Sequence, residues 1–185
     1  VASTQQRSGD LGALSWAPLP GTAKEGKAIA KLTNANLLLQ EQATALAVQE
    51  QVVAPKVLHL ASHAYFLTDQ KKVSHNNSQP LLQLQNSRTP FPKAFLSENP
   101  LLRSGIVLAG ANQPDANSKD DGYLTALEVA KLDWQGTEMV VVSGCESGKG
   151  DIQAGEGVYG LKRAIAVAGA RSSLLSLWEV DNAAT

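Results

Sequence analysis

Five short, largely apolar runs constrain this chain more than any other feature. They are Leu37-Leu38-Leu39, Val57-Leu58-His59-Leu60-Ala61, Ile106-Val107-Leu108-Ala109, Met139-Val140-Val141-Val142 and the stretch from Ser172 to Trp178. Each has the length of a strand rather than a helix, and none alternates apolar with polar residues. A strand apolar on both sides must have both faces covered. Between the runs lie helix signals. Thr22 and Glu25 have the spacing of a capping box, which predicts a helix over 22–33, and a second follows over 41–52. Thr125 and Glu128 repeat that spacing and predict a helix to about Leu132. Val158, Leu161, Ile165 and Ala168 recur at helical spacing, with Gly169 as a stop signal. Strands interleaved with helices predict an α/β fold: a mostly parallel central sheet with helices on both faces.

The 185 residues fit a single domain with a core large enough to need no disulfide or metal staple. Region 68–100 breaks the pattern. It is rich in Asn, Gln, Ser and Pro and reads as a polar surface insertion, a hairpin with a mobile loop. A net charge of -1 without a basic run argues against a nucleic-acid partner. No stretch approaches a membrane span. The chain has one cysteine, which excludes an internal disulfide and a Cys-x-x-Cys zinc site and points to a reducing, cytoplasmic setting.

That cysteine sits where chemistry is expected. The run at 57–61 leads into Ser62-His63-Ala64, and the run at 139–142 leads into Ser143-Gly144-Cys145. In open parallel sheets, ligands bind beyond the carboxyl ends of strands. If the two strands are neighbours, His63 and Cys145 share one rim, although they lie 82 positions apart. A thiol needs a base to become a nucleophile at neutral pH, and an imidazole supplies one. Taken singly, each residue also has a structural reading: Cys145 as a small buried hydrophobe, His63 as a satisfied strand-end histidine. His59 falls on the same face inside the run and reads as a core histidine. His75, in the insertion, reads as solvated. The glycines around Cys145 fail the phosphate-loop pattern, because Gly144 and Gly148 are too close and Lys149 precedes Gly150. Gly155, Gly157 and Gly160 match G-x-G-x-x-G but do not directly follow a strand.

Several blocks in order carry a resemblance. They are Leu58 to Ala64, Asn99 to Gly105, Asp121 to Val129, Val142 to Gly148, Gly155 to Leu161, Gly169 to Ser172, and Ser176 to Asp181. Their order and spacing resemble the CHAT domain family: caspase-like cysteine peptidases, in a clan shared with caspases and separases, often fused to tetratricopeptide repeats in bacteria. The resemblance runs from about Leu19 to Thr185. It implies a caspase-hemoglobinase fold with His63 as catalytic histidine and Cys145 as nucleophile. It also implies an oxyanion site made by the backbone amides of Cys145 and Ala64, where relatives usually carry Gly at the second position. The stretch Leu177-Trp178-Glu179-Val180-Asp181 is similar to one that flanks the substrate groove in such peptidases. Trp178, Glu179 and Asp181 are thereby implicated in substrate binding, with Asp181 offering a carboxylate to an Arg or Lys beside the scissile bond. The rival for Asp181 is a plain helix N-cap.

The resemblance implies no cofactor and no metal, and no loop has the oxygen-ligand spacing of an EF-hand. The expected partner is a protein or peptide substrate. Both ends look trimmed relative to the family, which leaves room for a second chain or segment completing the fold and for tetratricopeptide repeats or a regulatory partner. The main expectation is an endopeptidase cutting selected regulatory proteins. The alternatives are a latent or inactive CHAT domain acting as a protein-interaction module, and a nucleotide-binding α/β domain resting on Gly155, Gly157 and Gly160.

Overall fold

The structure, a computed structural model, describes residues 7–67, 98–113, 120–144 and 156–176. In chain order its elements are α1 (Pro20–Thr33), α2 (Ala45–Gln49), β1 (Val57–Ala61), β2 (Ala64–Phe66), β3 (Ser104–Val107), β4 (Tyr123–Thr125), α3 (Ala126–Val129), β5 (Met139–Ser143), α4 (Glu156–Val167) and β6 (Ser173–Leu175). The fold is mixed α/β, built around a parallel sheet of order β1-β5-β6.

Register explains why the apolar runs are continuous. Leu58 lies opposite Val140 and Leu60 opposite Val142, while Val142 in turn faces Leu175. Leu60, Val140 and Val142 enter the main core with Leu161, Ala164 and Ile165 of α4 and Ala168 just past its end. Each such Leu, Ile or Val side chain removed from water contributes about 1.5–3 kcal/mol. The next residue along β1 points the other way, as strand geometry requires. There His59 Nε2 meets Glu25 Oε1 of α1 at 2.8 Å. The main core with α4 thus fills one face of the sheet and α1 lies on the other at β1, whereas at β6 that second face is open, with Leu174 exposed.

A second sheet, antiparallel and of order β2-β3-β4, follows directly from the first. One of its faces (Ala64, Ile106, Leu124) joins the main core. The other face (Tyr65, Val107, Tyr123) is covered by Leu11 and Trp16 from the N-terminal segment, making a second small core. The run beginning at Ile106 thus belongs to this antiparallel sheet, as part of Ser104–Val107. Its residues are buried on both faces for the same reason as a parallel strand, so composition alone does not separate the two cases.

Several local expectations are corrected. Leu37-Leu38-Leu39 forms no strand, and Leu37 instead packs on α1, with its Cδ1 3.1 Å from where a Gly26 Cβ would stand. The capping box at Thr22 does not form. Helix α1 opens earlier, with Pro20 in its first turn, and the Thr22 hydroxyl donates to the Leu19 carbonyl at 2.7 Å. Glu25 is engaged with His59 instead. The helix expected over 41–52 is reduced to a 3₁₀ turn at Gln40–Gln42 and the short α2, because Thr44 caps α2 by accepting the Ala47 N–H. The second capping box is present in full, with reciprocal bonds between Thr125 and Glu128. Gly169 ends α4 region as expected, with a φ of 104° that a side chain would resist. Most of the polar insertion, residues 68–97, lies outside the described residues.

Candidate functional site

The carboxyl ends of β1 and β5 lie side by side. Ala61 is in register with Ser143, and the Ser62 N–H donates to the Ser143 carbonyl at 3.1 Å. Immediately beyond, Gly144 presses against the backbone around His63. A Cβ on Gly144 would stand 2.2 Å from the Ser62 carbonyl oxygen and 3.2 Å from the Ala64 nitrogen. Only glycine permits that approach. The end of β6 secures the same point: the Gly144 N–H donates to Ser176 Oγ at 3.3 Å, and the Ser176 hydroxyl donates to the Gly144 carbonyl. The Ser62 hydroxyl donates to the Val107 carbonyl and ties this rim to β3. Cys145, Trp178, Glu179 and Asp181 lie outside the described residues, as does His75.

His63 is 5% exposed, and its Nε2 lies 2.7 Å from the carbonyl oxygen of Ala17. A carbonyl can only accept, so Nε2 carries the proton. In the neutral ring Nδ1 is then the basic nitrogen. The indole of Trp16 lies against the imidazole, with ring centroids 5.4 Å apart and a tilt of 40°. Trp16 is itself fixed: its Nε1–H donates to the Tyr123 hydroxyl at 3.0 Å. Its backbone is held by Asn112, whose Oδ1 accepts the Trp16 N–H at 2.9 Å and whose Nδ2 donates to the Trp16 carbonyl at 2.8 Å. The far end of the same segment is tied by Arg103, which is buried and donates to Glu98 at 2.7 Å and to Asp10 at 2.9 Å.

The amide of Ala64 has a defined direction. The Val107 N–H donates to the His63 carbonyl at 2.8 Å, which makes His63 and Val107 a hydrogen-bonded pair of the antiparallel ladder. The next pair, Ala64 and Ile106, is then of the non-bonded kind, and the Ala64 N–H points away from β3, toward Gly144. Ala64 is not among the residues with positive φ. Its methyl group is buried in the main core. An alanine is therefore unstrained here.

Other groups have structural partners. His59 is half-buried and bonded to Glu25, rather than packed in the core as predicted. Burial pushes the Tyr65 phenol well above its ordinary range, so it stays protonated beside Trp16 and Tyr123. Burial also raises the Glu128 carboxyl, against the opposing pull of its bonds from Thr125. Among the described residues, no group of three or more His, Cys, Asp or Glu side chains is arranged to hold a metal. Among the described residues β5 ends at Ser143 and α4 begins at Glu156, with Gly155 itself outside them; Gly160 lies within α4, where a Cβ would stand 3.1 Å from Ser104 Oγ. Among the described residues no helix is long and apolar enough to cross a membrane.

Sequence reading missed Ala17, Trp16 and Asn112. A backbone carbonyl leaves no signature, since every residue has one. Only Trp16, the one Phe, Tyr or Trp before Tyr65, offered a signal.

Comparison with known proteins adds two findings. The family model described as CHAT domain matches residues 1–185. Human tetratricopeptide repeat protein 28 is 26% identical over 171 residues, which is 92% of this chain but 7% of that protein's length. No solved structure matches.

Proposed function

Because the chain belongs to the CHAT domain family, we propose that it is a cysteine peptidase in which His63 activates Cys145. The observation that carries this reading is the state of His63: buried at the strand-end rim, protonated at Nε2 by its bond to Ala17, and adjacent to Gly144. Cys145 follows Gly144 across one peptide bond, about 3.8 Å from Cα to Cα.

The reaction would run as follows. Nδ1 of His63 takes the thiol proton, and the Cys145 sulfur forms a bond to the scissile carbonyl carbon. The amides of Ala64 and Cys145 donate to the resulting oxyanion. The C–N bond then breaks, and the imidazolium gives its proton to the leaving amine. Water, deprotonated by His63, hydrolyses the thioester and frees the thiol. The free thiol has a pKa near about 8.5, so the base is needed at neutral pH.

Substrate would enter along the segment that continues from Ser176, whose hydroxyl bonds to Gly144. Trp178 and Glu179 would flank the extended peptide, and Asp181 would pair with Arg or Lys beside the scissile bond. The similarity to a tetratricopeptide repeat protein supports a setting in which repeats present the targets. The test is cleavage of a peptide library by wild type, Cys145→Ala and Asp181→Ala. The expected result is cleavage after basic residues, abolished in the first variant and redistributed in the second. Equal turnover by wild type and Cys145→Ala would refute the enzyme reading and leave an interaction module.

A further inference from the structure

We propose that Asn112 is a positioning residue for His63, acting through the backbone of Trp16 and Ala17. This rests on the reading of His63 as general base. A side-chain amide that accepts one residue's N–H and donates to the same residue's C=O fixes that residue in both position and rotation. Asn112 does this to Trp16, at 2.9 and 2.8 Å. The very next carbonyl, that of Ala17, is the one that receives the His63 Nε2–H at 2.7 Å.

The rest of the geometry fits a positioning role. Asn112 is exposed, so it fills no space in the core. Its loop is nonetheless anchored: the Gln113 N–H donates to the Gly110 carbonyl at 2.9 Å, the Leu108 N–H to Gly122 at 2.7 Å, and the Ala109 N–H to Ala43 at 3.0 Å. The Arg103 ties hold the segment at Ser8 and Asp10, several residues away, and do not set the direction of the Ala17 carbonyl. The Trp16 side chain is held through Tyr123, but a side-chain bond leaves the peptide planes free to turn. Asn112 removes that freedom.

The chemical consequence concerns the tautomer. Without an acceptor at Nε2, a neutral imidazole divides between its two tautomers, and the form protonated at Nδ1 has no lone pair there to accept a thiol proton. Displacements of about 1 Å at a reacting group lower rates by up to about a hundredfold.

The experiment compares wild type with Asn112→Ala, Asn112→Asp and the control Thr125→Ala. The control removes a helix cap away from the rim and costs about 1 kcal/mol of stability. Two readouts are taken: the ring ¹⁵N shifts of His63, which report the tautomer, and the rate of Cys145 alkylation across pH. The expected result is a mixed tautomer in Asn112→Ala with alkylation at neutral pH slowed about tenfold or more. Asn112→Asp, which keeps the acceptor for the Trp16 N–H and loses the donor, falls between. Thr125→Ala keeps the wild-type values. The proposal is overturned if Asn112→Ala retains the Nε2–H tautomer, or if Thr125→Ala produces an equal loss. If alkylation of wild type does not depend on His63 at all, the general-base reading fails, and the ring spectra still decide what Asn112 does.

Discussion

His59 and His63 lie four residues apart on one stretch of backbone, and their surroundings differ in kind. His59 sits within β1, half-buried, against a carboxylate from α1. His63 sits just past the strand end, buried, against a backbone carbonyl and an indole. A carboxylate partner ties a helix to a sheet. A carbonyl partner carries no full charge. It selects a tautomer. The first arrangement ties elements of the fold together, and the second is the one the proposed base would use.

Exchanging the histidines gives the largest contrast. His63→Ala is expected to lower peptidase turnover by about 10²–10⁴-fold, the usual contribution of a general base. His59→Ala should leave turnover within a few-fold and act on stability. The comparison is measured on one peptide substrate, with thermal melts alongside, and collapses if both variants lose activity alike.

Gly144→Ala sharpens the contrast from the other side of the rim. The added methyl would meet the Ser62 carbonyl at 2.2 Å, backbone against side chain, so the strand ends must separate. A destabilisation of about 1–3 kcal/mol is expected, with thiol reactivity lost in the fraction that remains folded. Gly12→Ala, where nothing lies within 4 Å of the new methyl, should leave reactivity intact.

Removing the carboxylate of the frame pair has a smaller effect. Glu25→Gln weakens the contact with His59, and a loss of about 1 kcal/mol or less is expected, with no change in turnover. Chemical denaturation reads the difference, and a fall in turnover would mean that the two histidines are coupled.

The smallest effect is one of pH. Burial raises the Glu128 carboxyl, so the folded chain holds that proton at pH values where the unfolded chain has released it. The associated stabilisation is complete below the unfolded value, about 4.3, and is lost as pH rises through the folded one. Wild type should therefore lose stability over that window relative to Glu128→Gln. Parallel curves for the two proteins would show that the bonds from Thr125 offset the burial.

What the sequence made legible follows from which interactions repeat. The runs at 57–61 and 139–142 announce β1 and β5 because a covered strand is apolar at nearly every position, and Thr125 with Glu128 announces α3 because its two bonds are local. Strands β2 and β4 have three residues each and show no period of their own; they exist because β3 lies between them. Thr22 and Glu25 mislead because a tertiary partner, His59, takes the carboxylate from its local role. The placement of His63 at a strand end beside β5 could be read from spacing. Its hydrogen-bond partner could not, since Ala17 contributes only a carbonyl and comes from a segment whose attachment depends on Asn112 and Tyr123, both distant in sequence.

The central claim is that a fixed tautomer of His63 serves Cys145. Its most direct test is alkylation of Cys145 by a small thiol-directed probe as a function of pH, for wild type and His63→Ala. The account predicts that wild type reacts well below the pH of an ordinary thiol, near about 8.5, and that His63→Ala loses this advantage. Identical pH profiles for the two proteins would contradict it.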